Sequence, residues 1–375
     1  YDKDEFTNRL DLKLNDSLNL FTQTNLNLEN DPLFRIYDLN LNIDSTHWTA
    51  GSDSTTFTLG KDSIQIANFV LQSGGQELGV NGIYSFKGRE DLHLWIEGLD
   101  LSKLYPLKGL DYKLQGIVNS DVQMNGTASK PEIRGFLDVS GPAVDTIRLN
   151  KLTTNFNYSA DTLSFEGSVD ARINRMIHAG AELPFHFSLT DSFSMPGQET
   201  PFQAYLKMDS LDLRILNPFF EKRGMEVFGT LESSVTIGHT LGDPRFNGKL
   251  TLADGSFQYA TEGIRYQNIE LDSRIDNQRF TLDRARFESG GGQINIEGFA
   301  DLVPPMPDKG RELQFRISGK EFRAVNSGRL EAVIEPSVTI AGTMEDPQMK
   351  GNMKIIRSQI NADAFMKQMS LKSDN

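Results

Sequence analysis

The five histidines are the side chains best suited to acid–base catalysis or metal binding, but their positions favour neither role. His47, His93, His178, His186 and His239 show no ligand-like pairing, and none heads an H-E-x-x-H motif or belongs to a recognisable triad. The chain has no cysteine, which excludes thiol nucleophiles, thiolate metal ligands and disulfides. We therefore expect that the protein is not an enzyme.

Three other segments have the composition of a ligand site without its context. Ser289–Gln293 reads SGGGQ, yet it lies between predicted strands and opens no helix, so a phosphate-binding loop is not expected. Glu90-Asp91 resembles a glycosidase carboxylate pair, but among 51 acidic residues such pairs are usually solvated. Asp44–Asp53 lacks the glycine and the spacing of a calcium loop. We expect no cofactor and no metal.

Composition and charge argue against a nucleic-acid partner and indicate a thin β protein. The 375 residues include 38 Lys+Arg and 51 Asp+Glu, a net charge of −13, with no basic patch. Only 38% of the residues are apolar, against roughly 45–50% in ordinary globular domains. No stretch approaches the ~20 apolar residues of a membrane span, and the opening YDKDEF is no signal segment. We interpret the chain as part of a longer polypeptide.

Alternation of apolar and polar residues with a period of two predicts an all-β fold. It is clear in Phe57-Thr58-Leu59 and Ile294-Asn295-Ile296, and Gly, Asn, Asp and Ser separate such runs. Helix patterns are few, and we expect only short helices, in 172–183, 214–224 and 361–369. Strands of this kind have one apolar face and one polar face.

One turn motif occurs three times at wide spacing. It reads GTASKPEIRG from 126, GHTLGDPRFNG from 238 and GTMEDPQMKG from 342, and its prolines are 113 and 103 residues apart. Pro32 is not counted as a further copy, because Ile36 occupies the position where the motif has glycine. The residues that define the repeated turn are Gly126, Pro131, Gly135, Pro244, Gly248, Gly342, Pro347 and Gly351.

The same offsets superpose six apolar positions around each motif, which predicts one shared apolar face. In the first copy these are Val118, Val122, Met124, Ile133, Leu137 and Val139. Their counterparts are Leu231, Val235, Ile237, Phe246, Leu250 and Leu252, and then Ile334, Val338, Ile340, Met349, Met353 and Ile355. Gly135, Gly248 and Gly351 share the parity of this face, and we interpret each as a bend or bulge in the sheet.

These alignments predict a repeating unit of about 100–117 residues. A second register, at an offset of 117, superposes Ile147–Leu152 on Ile264–Ile269, and a looser one pairs Phe69–Gly82 with Phe287–Gly298. We predict a partial unit in 1–112, units in 113–225 and 226–329, and the start of another in 330–375. Each unit would hold several short strands, and helices are too scarce to cover their apolar faces.

The repeated strand, G-x-x-x-x-P-x-x-x-G turn and strand resemble the C-terminal half of the TamB family, the translocation and assembly modules of the AsmA-like group. The resemblance covers residues 30–360. It implies an elongated antiparallel sheet curled lengthwise into an apolar groove. It further implies a periplasmic location in a Gram-negative bacterium, an inner-membrane anchor in an N-terminal part outside this chain, and an Omp85-type outer-membrane barrel, TamA-like, as partner.

Within this resemblance we expect a bridge-like scaffold that shields phospholipid acyl chains between the two membranes and contributes to outer-membrane biogenesis. A chaperone or scaffold for outer-membrane protein assembly remains an alternative, because it too would use an exposed apolar trough. A secreted adhesin-type β-solenoid is a further alternative, although solenoid coils repeat every 20–30 residues and no such period is visible. The alternative to an open groove is that the same apolar face is a closed core, as in a sandwich or a β-helix.

Overall fold

The fold was analysed in a computed structural model. It describes residues 5–15, 18–28, 31–43, 46–51, 55–103, 113–145, 147–172, 175–190, 195–304, 310–327 and 329–361. In this part of the chain, 24 strands are assigned to one antiparallel sheet, and the helices are short. The predicted all-β class, with an antiparallel sheet and few short helices, is confirmed. No helix among the described residues is long and apolar enough to cross a membrane.

The chain forms two compact units, one of residues 1–172 and 179–202 and the other of 173–178 and 203–375. The first unit contains the strands β1 Glu5–Asn15, β2 Leu18–Asn27, β3 Leu33–Ile43, β4 Thr46–Ala50, β5 Thr55–Leu59, β6 Ser63–Ser73, β7 Gln76–Ser85, β8 Arg89–Asp100, β9 Leu114–Thr127, β10 Lys130–Val144, β11 Ile147–Arg148, β12 Lys151–Ser159 and β13 Thr162–Arg172. Most of these strands pair with their neighbours in the chain, so the first unit is largely a meander.

The second unit is a meander of the same kind. Two strands, β14 Arg175–Pro184 and β15 Pro201–Asp212, contain residues of both units. The strands that follow are β16 Met225–Thr240, β17 Pro244–Tyr259, β18 Ile264–Asp276, β19 Arg279–Ser289, β20 Gly292–Asp301, β21 Glu312–Lys320, β22 Phe322–Asn326, β23 Leu330–Thr343 and β24 Pro347–Ile360. The strands β21 and β22 both pair with β23 and together act as one interrupted strand.

The helix predictions have three different outcomes. Residues 214–224 are helical, as a 3-10 turn Leu213–Leu216, α1 Asn217–Phe220 and a second 3-10 turn Glu221–Arg223. The prediction for 172–183 is wrong, since its described residues lie at the end of β13 and in β14. A glycine inside a helix costs about 1 kcal/mol, and Gly180 is in the middle of that segment. The prediction for 361–369 falls, apart from its first residue, outside the described residues.

An L-D-L motif introduces a helical turn in both units. Asp100 precedes the turn at 101–103 and Asp212 precedes the turn at 213–216. The backbone N–H groups of Ser102 and Arg214 donate to the respective aspartate Oδ1 atoms at 3.0 and 2.9 Å. Each aspartate thus satisfies an N–H that the helical backbone leaves unpaired, which explains why the motif recurs where a strand ends.

Glycine pairs form two of the two-residue hairpins. Gly74 and Gly75 connect β6 to β7, and Gly290 and Gly291 connect β19 to β20, with φ of 52°, 86°, 60° and 89°. A two-residue hairpin turn with both central φ values positive fits the right-handed twist of the strands and favours glycine. The SGGGQ segment is therefore a hairpin turn.

The described strands reveal a repeat of six strand positions along the chain. Three positions are each filled by two short strands, namely β4 with β5, β11 with β12, and β21 with β22. Counted in this way, repeats begin at β2, β9, β16 and β23. The predicted boundaries at 113, 226 and 330 lie next to the starts of β9, β16 and β23. The two strands of each proline hairpin occupy the first and second positions of a repeat.

Pro32 directly precedes β3, but the β2–β3 hairpin differs in register from the three proline hairpins. Leu26, six residues before Pro32, pairs with Phe34, whereas Met124, seven residues before Pro131, pairs with Ile133. Ile36 stands where β10 has a glycine, and the ladder shifts by one residue beside it.

Candidate apolar binding surface

The three proline hairpins β9–β10, β16–β17 and β23–β24 have the same pairing register. Within them Val122 faces Gly135, Val235 faces Gly248 and Val338 faces Gly351. Because side chains alternate across a strand, equal register places equivalent residues on equivalent faces. The 18 residues predicted to line one surface therefore lie on one face of their hairpins, which we call the apolar face.

The accessibility of these 18 residues differs between hairpins. In the first hairpin Val118 and Val139 are buried and the other four are half-buried; in the second, all six are half-buried. In the third, Val338 is buried and the two other predicted residues of β23 are half-buried, whereas those of β24 are exposed. The apolar face thus ranges from a closed core to open surface.

In the first unit the apolar face is closed near the tip of the β6–β7 hairpin. Trp48, only 3% exposed, forms one buried cluster with Leu99, Val118 and Val139. The strands β6 and β7 lie between β4 and β8 in the ladder, so a flat sheet would separate Trp48 from Leu99 by about 14 Å at ~4.8 Å per strand. The sheet must curl locally for them to meet.

The apolar face of the second unit is closed in the same way, by contacts that pass beyond the tip of the β19–β20 hairpin. Tyr266 of β18 donates its hydroxyl to the Ala324 carbonyl at 3.1 Å, and the Asn326 N–H donates to the Gly263 carbonyl at 2.9 Å. Phe322 is 2% exposed. Burial in this cluster raises the pKa of Tyr266. Neither aromatic closure was predicted from the sequence, where Trp48 and Phe322 look like ordinary strand residues.

In the first unit, part of the apolar face is accessible. One row of facing residues crosses β8, β9, β10, β12 and β13 through Leu94, Val122, Gly135, Phe156 and Phe165. Leu94 and Phe165 are 39% and 40% exposed, although both lie well inside their strands. Large apolar side chains at such positions are normally covered by a second layer, and the described residues provide none here.

The repeated glycines act through close backbone approach. The bulge expected at these positions is wrong, because the ladders shift at other residues and run without a break past Gly135, Gly248 and Gly351. A Cβ on Gly248 would overlap the carbonyl oxygen of Ser234, and one on Gly351 would overlap that of Ser337. Glycine is needed because the partner strand approaches where a side chain would begin.

A strap, Phe185–Leu189, crosses two strand turns in the first unit. The Phe187 N–H donates to the Tyr158 hydroxyl at 2.8 Å, and the Leu189 N–H donates to the Ala128 carbonyl at 2.7 Å. The Tyr158 ring packs against the rings of Phe185 and Phe187, with centroids 5.4 and 5.8 Å away. Pro131 is fully buried in the same region, whereas Pro244 is half-buried and Pro347 is exposed.

The histidine of the strap lies on its exposed side. The imidazole of His186 contacts the Asp161 carboxylate at 3.0 Å, and this hydrogen bond lowers the pKa of Asp161. Burial raises the pKa of Tyr158. The proline turn of the first hairpin is therefore fastened to the strap. The later turns have other partners: the Gln278 amide donates to Asp243, and the Met344 N–H donates to the Arg311 carbonyl at 2.8 Å.

The polar face carries ion pairs and single histidine contacts. His93 lies 2.7 Å from Asp121, and His239 lies 3.2 Å from Asp243. The hydrogen bond from the Trp95 indole lowers the pKa of Glu77. No group of three potential metal ligands occurs among the described residues. These contacts join neighbouring strands, whose pairing rests on the backbone hydrogen bonds of the ladder.

A family model described as TamB, N-terminal domain, matches residues 16–252, which is more than half of the chain. The family that the sequence motifs resemble is thus confirmed, but the matching part is the N-terminal domain, where the motifs indicated the C-terminal half. A proline hairpin repeated along a sheet carries no information on which part of the family it comes from. Searches of curated proteins and of solved structures found no match.

Proposed function

The chain belongs to the TamB family, and from this premise we propose that its apolar face carries phospholipid acyl chains across the bacterial envelope. The family consists of bacterial envelope proteins that serve transport and assembly, and it is not a known family of enzymes. The finer statement, that this chain shields phospholipid between the inner and the outer membrane, is our proposal.

The observation that carries the proposal is the uncovered apolar row that includes Leu94 and Phe165. These side chains lie inside strands, on the face that other residues use as a core, and remain more than one-third exposed. Contiguous exposed apolar patches mark surfaces that another molecule covers, and we take this row to be such a patch. An acyl chain suits a long and featureless apolar row, because it needs no specific polar partner.

Burial of acyl chains gives a sufficient driving force. Each CH₂ group that leaves water contributes about 0.8 kcal/mol, while the headgroup stays in solvent at the margin of the face. Movement along the face requires that no site bind far more tightly than the next. Hairpins of equal register, repeated along the chain, offer similar apolar positions at intervals and support such movement.

The proposal extends to the location and the partners of the protein. We propose that the full-length protein stands in the periplasm, with an inner-membrane anchor outside this chain. We further propose that it works with an Omp85-type outer-membrane barrel and contributes to outer-membrane biogenesis. A scaffold for outer-membrane protein assembly is the competing function within the family.

Native mass spectrometry and lipid extraction of the purified protein test the proposal. We expect bound phospholipid in the wild type and its loss in Val235→Asp and Ile237→Arg, both on the apolar face of β16. Ser234→Asp and Thr236→Arg are matched controls, since they alter exposed positions of the same strand and should retain lipid.

Circular dichroism and denaturant unfolding must accompany the lipid measurement. Loss of lipid with an unchanged fold supports transport. A wild type without bound phospholipid would contradict the proposal. So would global unfolding of Val235→Asp, because it would mean that the face around Val235 is a closed core.

A further inference from the structure

The strap Phe185–Leu189 packs on the apolar face of the first unit. Tyr158 of β12 belongs to that face, because it faces Ile133, which in turn faces Met124. The two phenyl rings of the strap pack against the Tyr158 ring. The strap therefore occupies part of the surface to which we assign acyl chains.

The apolar face changes from accessible to covered next to the strap. Leu94 is 39% exposed, whereas Leu92, the preceding residue of β8 on this face, is 8% exposed. On β12, Phe156 is half-buried and Tyr158, the next residue on this face, is 4% exposed. Two residues of a strand span about 7 Å. The change thus takes place over one step along both strands, at the row that contains Tyr158.

The strap is held by alternate backbone groups and is not part of a strand ladder. Three of its N–H groups donate to the Asp161 carbonyl at 2.9 Å, the Tyr158 hydroxyl at 2.8 Å and the Ala128 carbonyl at 2.7 Å. These acceptors lie in the β12–β13 turn, on β12 and in the β9–β10 turn. Segments with few cooperative contacts open at a lower free energy than core strands. The strap can therefore open while the strands beneath it stay paired.

The strap and an acyl chain require the same surface. The rings of Phe185 and Phe187 remove apolar area from water against Tyr158, and an acyl chain gains stability in the same way. Because both cannot lie on Tyr158 at once, a bound acyl chain favours the open strap and shifts the equilibrium towards it. Opening of the strap would join the row of Tyr158 to the accessible row of Leu94.

We propose that the strap is an internal plug, whose rings occupy the end of the apolar face in the first unit until phospholipid acyl chains displace them. This inference rests on the proposed function and deepens it, because it names the step that controls access to the face. The plug keeps apolar surface out of water while no lipid is bound. Its displacement makes that surface available where an acyl chain arrives.

A reversible disulfide between the strap and the β9–β10 turn tests the plug. The chain contains no cysteine, and the backbones of Ala128 and Leu189 are hydrogen-bonded, which suits the Cα separation of about 4.4–6.8 Å in disulfides. Oxidised Ala128→Cys with Leu189→Cys should take up acyl-labelled phosphatidylethanolamine from vesicles at least tenfold more slowly than the wild type, and a reductant should restore the rate. The control is Asn157→Cys with Ser164→Cys, which face each other on the polar face and should leave the rate unchanged.

Phe187→Ala tests the plug without a cross-link. Loss of this ring should raise the uptake rate at least threefold, whereas Phe165→Ala, which removes a ring from the accessible row, should lower the rate. Unchanged or slower uptake by Phe187→Ala would overturn the plug, as would wild-type uptake by the oxidised lock. Unfolding of Phe187→Ala, measured by circular dichroism, would make the strap a permanent core and also overturn it. A wild type that takes up no phospholipid would instead contradict the proposed function itself.

Discussion

The ring of Tyr266 packs against the ring of Phe322, with centroids 5.1 Å apart, although β19 and β20 separate their strands in the hydrogen-bonded order. This contact closes the apolar face of the second unit past one hairpin tip. It joins residues 56 positions apart in the sequence. The closure should therefore depend on a few aromatic side chains.

Phe322→Ala should destabilise the second unit by about 3–5 kcal/mol, because a fully buried aromatic leaves a cavity that neighbouring side chains only partly refill. The matched control is Phe219→Ala, whose side chain is 59% exposed and whose loss should cost less than about 0.5 kcal/mol. Urea denaturation of both variants measures the difference. Equal effects would mean that the aromatic closure does not hold the unit together.

Tyr158→Phe should loosen the strap Phe185–Leu189. The substitution removes the hydroxyl that accepts from the Phe187 N–H and leaves a buried donor unpaired, which costs about 1–3 kcal/mol. Hydrogen exchange of the strap amides should accelerate while exchange in β16–β24 stays unchanged. Tyr205→Phe, at a more exposed tyrosine, is the control. Unchanged protection of the strap would show that the hydroxyl has no fastening role.

Gly248→Ala should cost about 1–3 kcal/mol through steric overlap with the facing strand, because the new Cβ meets the Ser234 carbonyl oxygen. Gly197→Ala is the matched control, since nothing lies within 4 Å of a Cβ built there. Thermal unfolding compares the two variants. A neutral Gly248→Ala would show that the ladder tolerates a side chain at the repeated glycine.

Alkaline pH should destabilise the protein through its buried phenols. Burial raises the pKa of Tyr266 and Tyr158 above the ordinary value of about 10. A raised pKa stabilises the fold fully below pH ~10, and this contribution is lost as the pH rises through the folded-state value. Unfolding free energies from pH 8 to 11.5 should decline above pH ~10, and less so in Tyr266→Phe. A phenol of Tyr266 that ionises at or below pH 10, by ultraviolet titration, would contradict this.

The strand content and the hairpins could be predicted from sequence because both are local. Alternation along β16 and β17 fixes which side chains share a face, and the proline with the later glycine fixes the turn and the register. The offsets that aligned Val122, Val235 and Val338 are structurally correct, since each faces a repeated glycine.

The closures and the strap could not be predicted, since they depend on contacts distant in sequence. Nothing around Trp48 indicates that it joins Leu99, and nothing in Phe185–Leu189 indicates that it crosses the turn at Ala128. The β2–β3 hairpin differs in register from the three proline hairpins, and Ile36 stands where they have glycine. Local patterns specify elements, while curvature arises from which elements meet.

The six-strand repeat has a consequence for how such a protein changes in length during evolution. After an even number of antiparallel strands, the chain is again at the same end of the strands and its next strand runs in the same direction. Duplication or loss of a whole repeat therefore joins a strand end to a strand start that already fits. Loss of an odd number of strands would create parallel neighbours, which require a long crossover connection. Gene duplication can thus lengthen the sheet in whole steps.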